Sequence, residues 1–199
     1  MIKEIFLATN NAHKHKEFQL ALPHIRVRCP SELGLAFNPC EDGNSFLENA
    51  LIKARTLYQL VHTPVIADDS GLCVKALDGA PGIHSARYSG LQATNANGDN
   101  KNIVCLLENM KDKTQREAFF VACIVLYLEE DRFMIIQEKC LGEITEVSSG
   151  TSGFGYDPIF YLPTLKKTMA ELSETEKNEI SHRGKALKIL KPLLDSIET

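Results

Sequence analysis

The sequence has no tryptophan, no Cys-x-x-Cys pair and no apolar run of bilayer length. Its longest apolar run, Ala118 to Leu128, is far short of the roughly 20 residues a membrane-spanning helix requires. Met1-Ile2-Lys3-Glu4 carries an acid, and the apolar stretch behind it is too brief for a signal peptide. The six cysteines, at 29, 40, 73, 105, 123 and 140, have neither zinc spacing nor the density of a disulfide framework. Cys105 and Cys123 lie in apolar runs and read as small core residues. Reduced cytoplasm is the expected setting, and a redox or zinc function fits poorly. No GxxxxGK occurs, which excludes a P-loop. With a net charge of -4 there is no broad basic surface, so neither nucleic acid nor an anionic membrane is an expected partner. A polyanionic ligand must be met by a few well-placed cations.

What the chain does have is 199 residues, 44% hydrophobic and 24% charged. That suits one soluble domain, residues 1–199, or two intimately joined lobes, large enough for a core without disulfides or structural metal. Ile2 to Ala8 reads as a strand, Thr9-Asn10-Asn11 as a turn, and Ala12 to Leu22 as a helix ending before Pro23. Ser45 and Glu48 have capping-box spacing at the start of a second helix. Pro64 to Ala67 reads as a buried strand, and Thr94 to Asn100 as a polar loop before a helix near Lys101 to Met110. Phe119 to Leu128 and Phe133 to Lys139 flank an acidic turn and predict an antiparallel hairpin. Ile159 to Leu162 is a short apolar run, and Met169 to Leu172 and Lys177 to Leu194 are helical in pattern. Crossover helices with a hairpin predict an α/β fold on a mixed sheet.

Asp68-Asp69-Ser70-Gly71 closes the Pro64 strand with two adjacent carboxylates. Such a pair either faces water in a loop or holds a cation, and oxygen ligands suit magnesium or manganese. Asp68 and Asp69 are the metal and proton-acceptor candidates. Glu41 and Asp42 form a second acidic cluster, able to complete the coordination or simply to solvate a loop. Thr9-Asn10-Asn11-Ala12-His13-Lys14 is a strand–turn–helix start, which aims backbone N–H groups at an anion. Its plainer reading is a polar helix cap with an exposed lysine. Asn49 and Lys53 are four apart and share a helix face, either a solvated stripe or an amide and an ammonium pointing into a site. Phe154-Gly155-Tyr156-Asp157 follows Gly150 and Gly153; an aromatic there either packs in the core or stacks on a base, worth about 1–3 kcal/mol. Glu176-Lys177-Asn178 and Ser181-His182-Arg183 gather donors about one helix start.

Taken together these segments resemble the inosine triphosphate pyrophosphatase family. The resemblance runs through Ala8-Thr9-Asn10-Asn11-x-x-Lys14-x-x-Glu17, Phe46-x-Glu48-Asn49-Ala50-x-x-Lys53-Ala54 and Ala67-Asp68-Asp69-Ser70-Gly71-Leu72. It continues through Leu77-x-Gly79-x-Pro81-Gly82-x-x-Ser85-Ala86-Arg87-Tyr88, Phe154-Gly155-Tyr156-Asp157-Pro158-x-Phe160 and Glu176-Lys177-x-x-Ile180-Ser181-His182-Arg183. It implies an elongated mixed sheet flanked by helices, two lobes around a central cleft, and a homodimer. The implied activity is magnesium-dependent hydrolysis of inosine and xanthosine triphosphates, and their deoxy forms, to monophosphate and pyrophosphate. That activity clears deaminated purines from the nucleotide pool. On this resemblance Asp69 is metal ligand and proton acceptor, and residues Thr9 to Lys14 hold the triphosphate. Ser70 lies beside the substrate; Phe154, Gly155, Tyr156, Asp157, Lys177, His182 and Arg183 form the nucleotide pocket; Lys53 and Asp68 support them. One departure is that Cys40, not an acid, precedes Glu41; the acidic metal ligand of that loop is therefore assigned to Glu41.

Selectivity follows from hydrogen-bond polarity. Donors aimed at the purine 6-oxygen suit hypoxanthine and xanthine, whereas adenine presents an amino group and leaves them unpaired, a mismatch worth roughly 10⁴-fold or more. Two other readings stay open at this level: a nucleotide-binding sensor without turnover, and a related pyrophosphatase acting on pyrimidine or modified nucleotides.

Overall fold

The computed structural model describes residues 2–90, 96–130 and 132–197. Strand β1 (Glu4–Leu7) pairs in parallel with β2 (Arg26–Arg28) and with β3 (Val65–Val74). Strands β4 (Glu117–Glu129), β5 (Arg132–Ile144), β6 (Phe160–Leu162) and β7 (Lys167–Thr168) complete a seven-stranded sheet of order β2-β1-β3-β4-β5-β6-β7. β6 runs antiparallel to both β5 and β7, so the sheet is mixed. Five α-helices are described: α1 (Ala12–Ala21), α2 (Phe46–Val61), α3 (Ala96–Asn109), α4 (Glu174–Ile180) and α5 (His182–Ser196). This is the α/β class expected from the sequence. Among the described residues no helix is long and apolar enough to cross a membrane.

The chain divides into two compact units, one of Met1–Asp69, Ala122–Glu138 and Arg183–Thr199, the other of Ser70–Val121 and Lys139–His182. In the first unit the strand period of two sends alternate side chains to opposite faces. Ile66, Ile124 and Leu126 pack with Phe18 of α1 and Leu187, Leu190 and Leu194 of α5. Val65, Ala67, Val125 and Tyr127 pack with Ala50, Ala54 and Leu57 of α2. The second unit has its own core, in which Leu72, Val74, Phe120 and Ile144 meet Ile103 and Leu106 of α3 and Phe160 of β6.

Several boundaries differ from the sequence expectation. β3 does not end at Ala67 but continues through the acid pair to Val74. Asp and Gly are poor strand formers, and here tertiary ion pairs override that preference. α3 starts at Ala96 rather than near Lys101, with Asp99 placed in its first turn, where the helix dipole favours a negative charge. Residues 94 and 95 of the expected loop lie outside the described residues. The segment Lys177 to Leu194 is two helices, because Ser181 takes extended backbone (φ -65, ψ 160) after its N–H closes α4 on the Lys177 carbonyl. Met169–Glu171 is a single 3₁₀ turn. Ser45 caps α2 by accepting from the Glu48 N–H at 3.1 Å, while the Glu48 carboxylate accepts from Asn44 rather than from Ser45.

α1 has a thin apolar stripe, and Phe18 is the only one of its residues that is fully buried. Phe18→Ala is therefore expected to cost about 3–5 kcal/mol, measured by urea unfolding. A loss below about 1 kcal/mol would mean that α1 is held by its cap instead.

Candidate active site

Consecutive residues on a strand face opposite ways, which gives each member of the acid pair its own environment. Asp68 lies in register with Ile66 on the α1/α5 face. Its Oδ2 meets Lys14 Nζ at 2.8 Å and Arg183 Nη2 at 3.0 Å. Lys14 comes from α1 and Arg183 from the first turn of α5, and Arg183 also pairs with Glu17 of α1. Asp68 is 1% exposed and Arg183 likewise. Burial pushes the Asp68 carboxyl upward, yet the Arg183 guanidinium and Lys14 ammonium outweigh it and hold the group well below the usual carboxylate range. Arg183, expected to touch nucleotide, pairs with two carboxylates, Asp68 and Glu17, in this structure.

Asp69 faces the α2 side. Its Oδ1 accepts from Lys53 Nζ at 2.6 Å, and the same ammonium reaches Glu41 Oε2 at 3.2 Å. Burial raises the Asp69 pKa, and Glu41 adds to this against the opposing pull of Lys53 and Lys14. Asp69 is therefore more basic than an exposed aspartate. Lys53 is raised despite its burial, because Asp69 and Glu41 hold its proton. Two hard carboxylates converging on one cationic nitrogen form a donor set of the kind magnesium takes; Asp69 and Glu41 fit such an ion. Asp42, the other acid of that loop, is exposed. The loop is pinned by Asn49, whose Oδ1 accepts from the Gly43 N–H at 2.9 Å. A side chain on Gly43 would strike Glu48 and Asn49. The shared face of Asn49 and Lys53 is accordingly buried, not a solvated stripe.

In the turn after β1, Asn11 is the N-cap of α1. Its Oδ1 accepts from the N–H groups of His13 (2.9 Å) and Lys14 (3.1 Å), and Thr9 Oγ1 accepts from the Asn11 N–H. Asn10 donates to the Phe37 carbonyl at 2.6 Å. Thr9 is buried, whereas Asn10, Ala12 and His13 are exposed. An incoming anion would exchange with the Asn11 carbonyl for these donors, and with Asp68 for Lys14.

The second unit holds Ser70, half-buried on β3, together with Phe154, Gly155, Tyr156, Asp157, Lys177 and His182. Asp157 Oδ2 accepts from Lys177 Nζ at 2.7 Å and from the Phe154 N–H at 2.9 Å. Lys177 Nζ sits 4.6 Å from the Phe154 ring centroid, a cation–π contact. Gly153 has φ +77, and a Cβ there would run into the Asp157 carboxylate, so only glycine serves. Tyr156 donates its hydroxyl to the Ser85 carbonyl at 2.9 Å. His182 stacks on Phe120 with centroids 4.9 Å apart. Glu176, grouped with these donors in the sequence, is instead the capping-box partner of Ser173.

Three groups escape sequence reasoning. Phe120 lies inside a run whose pattern says only strand. Phe37 contributes a carbonyl, which no side-chain pattern reveals. Asp99 accepts from the Gly155 N–H at 2.9 Å; an acid at a helix start is the one available signal. Cys123 is fully buried and its thiol is pushed up to about 11, chiefly by burial, which makes it a poor nucleophile. Cys105, expected in the core, is only half-buried. His15, Cys29 and Glu32 have metal-capable atoms within 4.8 Å of one another. That proximity follows from a capping box between Cys29 and Glu32 and from the 2.8 Å contact of His15 Nε2 with the Val27 carbonyl.

The sequence profile of the Ham1 family matches residues 5–193. The dITP/XTP pyrophosphatase of Treponema denticola is 48% identical over 184 residues, covering 92% of this chain and 94% of that protein. The dITP/XTP pyrophosphatase of Escherichia coli K12 is 45% identical over 195 residues, covering 95% and 96% respectively. The solved structure of a HAM1 protein from Coxiella burnetii superposes with a TM-score of 0.87 at 38% identity, covering 99% of this chain and 100% of that one.

Removing one partner of a buried ion pair leaves the others uncompensated, so Asp68→Asn is expected to cost about 3–5 kcal/mol at pH 7. A carboxyl held below its ordinary pKa stabilises the fold above that value, about 3.9, and loses this contribution as pH falls below it. Urea unfolding at pH 7 and pH 3.5 should show the variant losing less on acidification than the parent. Equal losses would remove Asp68 as the acid-sensitive group.

Proposed function

Because the chain belongs to the Ham1 family, we propose that it hydrolyses deaminated (non-standard) purine nucleoside triphosphates, the inosine and xanthosine forms and their deoxy counterparts, to monophosphate and pyrophosphate. The observation that carries the reading is Asp69, a buried carboxylate raised above the ordinary range and fixed by Lys53 beside Glu41. A group of that kind takes the proton of an attacking water. Water adds to the α-phosphorus, the bond to the α,β-bridging oxygen breaks, and pyrophosphate leaves with the electron pair. Asp69 and Glu41 would hold magnesium, or manganese in its place, and the ion supplies charge screening on the phosphates. Lys14, held near Asp68, exchanges one anion for another as the triphosphate arrives. Residues Thr9 to His13 supply backbone donors at the start of α1.

The purine base is assigned to Phe154, Lys177 and His182. Phe154 offers a face for stacking, Lys177 is fixed by Asp157 over that face, and His182 is braced by Phe120. Donors of this sort favour a 6-oxo purine over a 6-amino purine. A homodimer and a cytoplasmic setting belong to the same proposal and rest on the family resemblance.

The test is release of pyrophosphate from inosine, xanthosine, deoxyinosine and adenosine triphosphates, with and without magnesium. The deaminated substrates should exceed adenosine triphosphate in kcat/KM by roughly a hundredfold or more, and only with the metal present. Comparable rates on adenosine and inosine triphosphates would overturn the selectivity, and release of orthophosphate alone would overturn the bond assignment. Asp69→Asn should lower kcat by roughly 10²-fold or more while the unfolding midpoint shows the chain still folded. Wild-type turnover in that variant would place the proton acceptor elsewhere.

A further inference from the structure

The loop from Gly153 to Asp157 contains two glycines with positive φ, Gly153 at +77 and Gly155 at +61. Such a backbone has little stiffness of its own, yet the Phe154 ring it carries must hold its distance from Lys177. The stiffness comes from side chains that seize successive backbone groups. Asp157 takes the Phe154 N–H, and one residue on, Asp99 Oδ2 takes the Gly155 N–H at 2.9 Å from 56 residues away in sequence. Asp157 is part of the Lys177–Phe154 assembly itself, whereas Asp99 reaches in from the first turn of α3. A carboxylate accepts a stronger hydrogen bond than a neutral group, and its charge is favoured at a helix start.

We propose that Asp99 is a positioning residue for base recognition: by fixing the Phe154–Gly155 peptide to α3 it sets the ring on which the purine stacks. The inference deepens the proposed function and rests on it. Asp99 touches no part of the expected phosphate chemistry, so its contribution belongs to binding of the base and not to turnover. Displacing the peptide moves Phe154 relative to Lys177 and loosens the stack and the cation–π contact together.

The experiment compares Asp99→Ala, Asp99→Asn and wild type in inosine triphosphate hydrolysis, with inorganic tripolyphosphate as a competitive inhibitor that has no base. Loss of one charge-assisted hydrogen bond should raise KM roughly tenfold in Asp99→Ala, with kcat and the tripolyphosphate Ki unchanged. Asp99→Asn keeps an oxygen acceptor and should restore KM to within about twofold of wild type. Asp99→Ser, too short to reach the loop, makes the same test should the alanine variant fail to fold. An unchanged KM in the shortened variants overturns the inference. So does an asparagine variant as impaired as alanine, or a tripolyphosphate Ki that moves with KM. If wild type itself does not hydrolyse inosine triphosphate, the functional proposal fails first, a result distinct from any of these.

Discussion

The pairing of Asp68 with Lys14 and Arg183 is the constraint on which the first unit is organised. Taking a carboxylate out of water costs several kcal/mol unless cations and donors replace the solvent. Here α1 and α5 each deliver one cation to the same oxygen, and Glu17 returns a negative charge to Arg183. Both helices must therefore lie on one face of β3. Asp69, one residue along, points to the other face and meets a lysine from α2. Strand alternation lets adjacent acids coexist, one neutralised by Lys14 and Arg183, the other raised by burial beside Glu41.

This division also explains which part of the site is legible in the sequence. The acid pair, the turn after β1 and the Phe154 loop stand out because their residue types are costly or unusual where they occur. The distinct roles of Asp68 and Asp69 are not legible, because they depend on which face each helix covers. The same limit predicts too early an end for β3. Local propensity treats Asp-Asp-Ser-Gly as a breaker, while Lys53, 16 residues upstream of Asp69, and Arg183, 115 residues downstream of Asp68, make extended backbone the stable choice there. Boundaries set by a neighbouring side chain, such as the start of α3 near Asp99, escape for the same reason. The mixed sheet and the crossover helices are written in local periodicity and can be read from it.

The second unit solves a different problem. A flat aromatic face is useful for discrimination only when its height and its polar neighbour are fixed. Glycines that let the loop fold tightly also leave it loose. Asp157, Asp99 and the Ser85 carbonyl each restrain one successive residue of that loop. Lys177 is then set by a buried carboxylate, and the Phe154 ring lies beneath its charge.

Neither unit is a continuous stretch of polypeptide, since the first returns at Arg183 after both segments of the second. On the ribosome, Lys14 and Asp68 emerge long before the guanidinium that completes their cluster. The nascent chain thus carries a half-neutralised acid until Arg183 has been made, and vectorial folding of the amino-terminal portion cannot finish before that point. A premature stop anywhere before residue 183 would yield not a smaller working fragment but a polypeptide with an orphan charge at its centre.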